Sequence, residues 1–325
     1  MPYATDHLSL LSFPLIAMDD VWLALDFGGT KLSAALLRRE TLSASRPQWL
    51  DSRREWTPAT ADAAYEIEAM THLARKLLAG RAPAAIGVSF GGPVDYDRGV
   101  VRLSHHVRGW EDMPLRQTLE RTFGAPVVVD NDANAAAVGE HRFGAGRGVD
   151  DLLYVTVSTG VGGGWVLGGR PWRGHDGMAG EIGHTVVDPA GPLCLCGKRG
   201  CVERLASGPY MAADYATQGG KGRGSAGVLT GQDVAEAAAN GDKVAREILL
   251  RGAWALGVGL GHAANLLNPQ RFILGGGVTK AGSNWWAEVR QSAAATALPE
   301  VGFDIVPAEL GDDAPLWGAV ALVPG

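Results

Sequence analysis

The sequence predicts an α/β protein built in two halves, and three observations carry that reading. Short continuous apolar runs such as Val21–Leu25 and Leu152–Val157 read as strands buried on both faces, and glycine-rich turns follow them. Longer segments between these runs carry helical periodicity or a helix-forming composition. One device, strand then polar glycine-rich hairpin then strand, occurs at residues 26–31 and again at 158–164. Its recurrence near the start of each half suggests an internal duplication with two loops facing one ligand. A chain of 325 residues is long enough for two domains with a substantial core.

In order, the first strand ends in Asp26-Phe27-Gly28-Gly29-Thr30-Lys31 and a second apolar run, Leu32–Leu37, follows at once. The Gly-Gly turn exposes backbone N–H groups toward an anion, with Asp26 leaving the strand end in the same direction. It is not a Walker A loop, which leads into a helix. Residues 59–78 place Ala63, Ile67, Met70, Leu73 and Leu77 at helical spacing, one amphipathic helix with a core role. Ala84–Ser89 is a strand that opens into Phe90-Gly91-Gly92-Pro93, read equally well as the rim of a ligand crevice or as a simple turn.

Pro126–Val129 is a short strand, and Asp130-Asn131-Asp132-Ala133-Asn134 stands between it and a plain helix former. One of these residues serves as the N-cap, but three capping-type residues exceed what one cap requires. A carboxylate at a helix N-terminus is stabilised in its charged form, so Asp132 is expected to be ionised at neutral pH. Leu152–Val157, the turn Ser158–Gly164 and Trp165–Leu167 form the second hairpin. Helices are expected over Gly231–Asn240 and Lys243–Leu267, the latter stopped at Asn268-Pro269. Arg271–Leu274 is a last buried strand, and Gly275-Gly276-Gly277 after it lets a flat ligand approach the backbone. Asp313–Val323 reads as a final short helix.

The stretch Gly180–Glu203 holds all three cysteines, Cys194, Cys196 and Cys201, with His184 upstream and Glu181 and Glu203 on either side. C-x-C-x4-C plus a histidine offers three thiolates and an imidazole, a tetrahedral set suited to Zn²⁺. The plain alternative is a glycine-rich loop with incidental cysteines. A zinc here would be structural, with every position closed by protein, and would order a loop poor in apolar residues.

The formal net charge of −6 disfavours a general nucleic-acid surface. Thiolate ligands need a reducing setting, which points to the cytoplasm. No apolar run reaches membrane-spanning length, and residues 8–17 lack the basic flank and cleavage site of a signal peptide. Met18 precedes the first strand and is a candidate start, so residues 1–20 are expected to be a disordered extension.

Taken together, LDFGGTK (25–31), DNDANAA (130–136), STGVGGG (158–164), AGEIGH (179–184), CLCGKRGCVE (194–203) and ILGGG (273–277) resemble the ROK family of sugar kinases and repressors. The resemblance covers nearly the whole chain from Val21, and the order and spacing of these pieces make it specific. It implies two ribonuclease-H-like domains of the actin-like ATPase superfamily around a central cleft. Residues 21–129 would form the smaller domain, joined by the C-terminal helix 313–325, and residues 130–312 the larger one with the zinc-bound loop. The family's nucleotide contacts fall on Gly28, Gly29, Thr30 and Lys31 and on Ser158, Thr159, Gly160 and Gly162, with adenosine near Gly275, Gly276 and Gly277. Asp26 would help hold Mg²⁺ through water. The catalytic base matches Asp132. Sugar contacts match Asn131, Asp132, Glu181, His184 and Glu203, with Gly92 and His106 beside them, and the zinc ligands match His184, Cys194, Cys196 and Cys201.

The implied reaction is ATP-dependent phosphorylation of a hexose at its 6-hydroxyl, foremost glucose, with an N-acetylmannosamine or N-acetylglucosamine kinase as the alternative. One departure bears on the sugar: His106 stands in LSHHVRGW (103–110) where family hexokinases often carry asparagine. Sugar-sensing repressors of the family carry a DNA-binding module ahead of the kinase-like part, and about twenty residues before the first strand are too few for one. A sugar-binding protein without catalysis is disfavoured by the presence of both Asp26 and Asp132. Homodimers are expected by family analogy alone.

Overall fold

The computed structural model describes residues 20–43, 47–104, 107–221 and 228–324. The expected N-terminal extension up to residue 19 and the position of His106 lie outside them. The first half runs β1 (Val21–Phe27), β2 (Lys31–Arg38), β3 (Asp51–Trp56), α1 (Ala63–Leu78), β4 (Ala85–Phe90), β5 (Val94–Asp95), β6 (Val100–Val101), α2 (Leu115–Phe123) and β7 (Val127–Asn131). The second half follows with α3 (Asp132–Phe143), β8 (Leu152–Val157), β9 (Val161–Leu167) and β10 (Arg170–Trp172). Beyond the cysteine stretch come α4 (Val202–Ala206), α5 (Gly208–Thr217), α6 (Gly231–Ala239) and α7 (Lys243–Leu267). The chain ends with β11 (Arg271–Gly275), α8 (Ser283–Thr296), β12 (Asp304–Pro307) and α9 (Ala314–Leu322).

Two five-stranded sheets have the same topology. The first is ordered β3-β2-β1-β4-β7 and the second β10-β9-β8-β11-β12. In each, the first three strands of its half form an antiparallel meander and the remaining two join in parallel. The duplication suggested by the two glycine hairpins is therefore a duplication of the whole sheet. The antiparallel pairs β1–β2 and β8–β9 need only the tight hairpins Gly28–Thr30 and Ser158–Gly160, whereas the parallel joins need crossovers containing helices.

Alternation along β1 sorts its side chains. Val21, Leu23, Leu25 and Phe27 pack under α1 and α2 in one cluster, while Trp22 and Ala24 face α9 in another. The second sheet is covered by α4, α7 and α8, whose core positions include Leu256, Leu260, Trp285 and Val289. Helix α7 has the bounds expected of it, because Asp242 caps its start by accepting from Ala245 N at 3.0 Å and Asn268 ends it in a left-handed turn. Helix α1 starts four residues later than the periodicity suggests, at the point where Asp62 accepts from Tyr65 N. Strand β3 has no counterpart among the expected elements: its sequence DSRREW is exposed throughout and carries no apolar signal, so pairing with β2 alone makes it a strand.

Helix α9 returns from the end of the chain to lie against β1, β4 and α3. Two glycines permit the approach. A Cβ on Gly87 in β4 would collide with the Ala319 carbonyl, and one on Gly318 would collide with the backbone of Ala135 in α3. Gly87→Ala should therefore lower stability by about 1–3 kcal/mol through overpacking, read as a fall in the thermal midpoint. An unchanged midpoint would show that the helix can slide away without cost. Among the described residues no helix is long and apolar enough to cross a membrane.

Candidate active site

The C-terminal ends of β1, β4 and β7 deliver the first group of side chains. Register pairing places Arg54, Ser33, Asp26, Ser89 and Asp130 opposite one another across all five strands of the first sheet. Register partners share a face, so these five form one polar row on the side of the sheet that faces α9 and α3. Ser33, Asp26, Ser89 and Asp130 are buried. Ser89 donates from its hydroxyl to Asp26 Oδ1 at 2.8 Å. Burial pushes the Asp26 carboxyl up to about 6, against the opposing pull of Ser89, Lys31 and Arg54. Arg54 is in turn ion-paired with Asp313 at the start of α9.

The Gly28–Thr30 hairpin is pinned by Gly28 N to Lys31 O at 3.1 Å and Thr30 N to Gly28 O at 2.9 Å, with Gly29 at φ 73°. Gly91 donates to Phe27 O at 2.9 Å, which sets the Gly91-Gly92 turn beside this hairpin.

The three candidate caps at the start of α3 have separate duties. Asn131 is the cap, its side-chain oxygen accepting from Ala133 N at 2.9 Å and Asn134 N at 3.3 Å. Its amide donates to Gly92 O at 3.1 Å and to Asp132 Oδ1 at 3.0 Å. Asp130 is engaged elsewhere, in an ion pair with Arg173. Asp132 accepts from Ala133 N and the Asn131 amide on Oδ1 only, and Oδ2 has no hydrogen bond among the described residues.

Contrary to the expectation from sequence, the helix N-terminus does not by itself set the ionisation of Asp132. Burial, and next the negative charge of Asp26, push it up to about 7, and the Ala133 and Asn131 hydrogen bonds only partly offset this. Desolvation outweighs the helix N-terminus here. Asp26 and Asp132 are thus interacting carboxylates, a pair whose combined charge suits a divalent cation.

In the second sheet, Ser158 N donates to Gly160 O at 2.9 Å to close the hairpin, and Ser158 O accepts from Gly208 N at the start of α5. Gly162 to Gly164 are not turn residues; they lie in β9, paired with β8. A Cβ on Gly164 would collide with the Ala133 carbonyl, and one on Gly162 would stand 3.6 Å from Ala133 Cβ. These glycines let the N-terminus of α3, with Asp132, sit against the second sheet. Gly276, at φ 88°, passes so close to Val157 that only glycine is accommodated, whereas a Cβ on Gly277 would meet nothing within 4 Å. The space expected for a flat ligand is at Gly277.

His184, Cys194, Cys196 and Cys201 converge, with one donor atom from each all within 4.8 Å of one another. His184 Nδ1 is 4.0 Å from Cys194 Sγ, and Cys196 Sγ is 3.5 Å from Cys201 Sγ. Backbone bonds shape the loop: Val187 N to Gly200 O, Cys194 N to Lys198 O and Gly200 N to Pro192 O. With no cation, burial raises the Cys201 thiol to about 12 and raises that of Cys194. Three sulfurs and one imidazole at this spacing fit a tetrahedral Zn²⁺, which would deprotonate those thiols on binding. With Nδ1 turned to the sulfurs, Nε2 of His184 is left for another partner. Glu203 lies in the first turn of α4, two residues after Cys201, and its Oε2 accepts from Val161 N at 3.0 Å. It thereby ties the cysteine loop to the Ser158–Gly160 hairpin. Glu181 is exposed just before the short 3₁₀ turn Ile182–His184.

Two features escaped the motifs. Ser89 sits at the end of an apolar strand, where only register with β1 reveals its contact to Asp26. Arg173 pairs with Asp130 over a separation of 43 residues, with no local signal to mark it.

Two duplicated ribonuclease-H-like sheets with glycine hairpins, the first carrying Asp26 and Asp130 at its strand ends, define a phosphotransferase of the actin-like ATPase fold. The ROK family model matches residues 22–325, and the chain belongs to that family. A glucokinase of Halalkalibacterium halodurans is 38% identical to it, with 94% of this chain and 96% of the relative covered. An N-acetylmannosamine kinase of Escherichia fergusonii is 34% identical, covering 93% and 98%. Among solved structures, a ROK family glucokinase from Streptomyces griseus in complex with glucose and AMPPNP superposes with a TM-score of 0.75 at 35% identity, covering 93% of this chain and 99% of that one.

Proposed function

We propose that the protein is an ATP-dependent hexose kinase that transfers a phosphoryl group to the 6-hydroxyl of glucose. The observation that carries this reading is the position of Asp132: an unengaged Oδ2 at a helix N-terminus, beside Asp26 and packed through Ala133 against the glycines of the second hairpin. A carboxylate so placed, with its affinity for protons raised, suits a general base. Asp132 would orient the sugar hydroxyl and take its proton late in the transfer. Asn131, Glu181, His184 through Nε2, and Glu203 would hold the remaining hydroxyls, with Gly92 and His106 beside them; carboxylates and amides each bind vicinal pairs.

Backbone N–H groups around Gly28 to Lys31 and Ser158 to Gly162 would receive the phosphates, and the Gly275 to Gly277 run, open at Gly277, the adenosine. Mg²⁺ held near Asp26 supplies charge neutralisation to the phosphoryl oxygens, where most of the catalysis in this chemistry lies. Zn²⁺ on the cysteine loop would be structural. The reading divides the chain after residue 129, with α9 returned to the first lobe, because α9 packs on β1 and β4. It also places the protein in the cytoplasm, where thiolate ligands stay reduced, as a homodimer by family analogy.

A hexose panel with coupled ADP detection, run with and without Mg²⁺, tests this. Glucose should be the best acceptor and Mg²⁺ essential. The 34% identity to an N-acetylmannosamine kinase supports a second reading. A preference for an N-acetylated sugar of about tenfold or more over glucose, or roughly 1.4 kcal/mol, would establish that second reading in place of the first.

A further inference from the structure

We propose that Arg173 is a positioning residue that locks the sugar-binding ends of the two sheets together. This rests on the hexose kinase reading above. Arg173 follows β10 in the second sheet, yet its Nε and Nη2 lie 2.8 and 2.7 Å from Oδ2 of Asp130, at the end of β7 in the first. The other oxygen of Asp130 accepts from Asn131 N at 2.8 Å and from Asn134 Nδ2 at 3.2 Å. One carboxylate therefore holds the guanidinium on one side and the backbone of the residue before Asp132 on the other. The guanidinium also lies 3.6 Å from the centre of the Tyr96 ring, in the β5–β6 hairpin. The side chain of Asp130 is 2% exposed and that of Arg173 is 17%.

Each contact leads to a predicted sugar residue. Asp130 fixes Asn131 and so the entry to Asp132. Tyr96 stands just past Gly92 and Pro93, and Gly92 O is the acceptor for the Asn131 amide. Arg173 O accepts from Ala179 N at 3.0 Å, which folds residues 173–179 into a loop that delivers Glu181 and His184. A second bond, Arg102 Nη2 to Asp176 O at 3.0 Å, joins the same loop to the first half. The nucleotide hairpins make none of these contacts.

A buried ion pair is costly to desolvate and is a weak source of stability, so its value lies in the geometry it imposes. Arginine alone can place two N–H groups on one carboxylate oxygen while stacking on a ring.

The test is steady-state kinetics and thermal unfolding of R173M, R173K, D130N and R173M/D130N in the full chain. R173M should raise the KM for glucose about tenfold or more while the KM for ATP stays within about twofold. R173K should fall between R173M and wild type, and adding D130N to R173M should change the glucose KM by no more than about twofold, as for one shared interaction. A folded R173M whose glucose and ATP KM values move together, or whose glucose KM stays within about twofold of wild type, overturns the inference. Should R173M fail to fold, Y96L removes the stack and leaves the ion pair. It should raise the glucose KM about threefold with ATP unaffected, and no such split overturns the inference equally. A wild-type protein that phosphorylates no hexose overturns the functional reading itself and this inference with it.

Discussion

Asp132→Asn should abolish nearly all hexose phosphorylation, with kcat lower by about 10²–10⁴ and the sugar KM little changed. The amide keeps the shape and can still accept from Ala133 N on its oxygen, as Asp132 Oδ1 does at 2.8 Å. What it loses is the ability to take a proton on the atom that corresponds to Oδ2. The variant should fold at least as well as wild type. Burial and Asp26 both work against the Asp132 charge, and the substitution removes that conflict. Wild-type kcat in a folded Asp132→Asn protein would exclude Asp132 as the base.

The raised affinity for protons has a direction in pH. The free enzyme needs Asp132 deprotonated, so kcat/KM for the sugar should fall as pH drops through about 7. A cation near Asp26 favours both carboxylates in their charged forms, so the acid limb should move to lower pH as Mg²⁺ is raised. For stability the sign is opposite. A carboxyl whose folded-state pKa lies above its unfolded value stabilises the protein at low pH and loses that contribution as pH rises toward 7.

Cys196→Ser, or removal of zinc by a strong chelator, should weaken sugar binding far more than nucleotide binding. Cys196 is the suitable ligand to change because it is exposed, whereas Cys194 and Cys201 are buried and their loss would disturb packing as well. In small zinc modules the metal contributes roughly 10–16 kcal/mol of apparent binding energy, and much of it goes into ordering the chain. Here that ordering reaches His184, which is both a proposed ligand and a proposed sugar contact, and Glu203, two residues after Cys201. We expect the glucose KM to rise about tenfold or more and the ATP KM to stay within about twofold, with metal content measured in parallel. Unchanged sugar affinity in zinc-free protein would refute the role of the loop as a clamp on the sugar. Glu203 could transmit a smaller effect to the nucleotide side, since its carboxylate holds Val161 N next to the second hairpin.

Local chemistry explains which parts were legible beforehand. The strands of both sheets that are buried on two faces carry apolar runs, and the glycine hairpins between β1 and β2 and between β8 and β9 need no distant partner to form. Helix α7 has its cap, its periodicity and its stop in one contiguous segment. The cysteine cluster was legible because four metal-type ligands lie within one short loop, and the structure gathers all four. Strand β3, by contrast, is charged and exposed, and the pairing that defines it comes from β2. The glycines of β9 read as turn because their true partner, the start of α3, is remote in sequence.

The sequence by itself therefore determined the family, the duplicated α/β plan and the identity of the acidic, glycine-rich and cysteine motifs. Each depends on residues that are neighbours along the chain. The tertiary structure decided how the three polar residues at the start of α3 divide their work: Asn131 caps the helix, Asp130 is taken by Arg173, and Asp132 is left with one free oxygen. It also raised the affinity of that carboxyl for protons. Burial and the field of Asp26 are sums over atoms from several elements, and no window of sequence contains them.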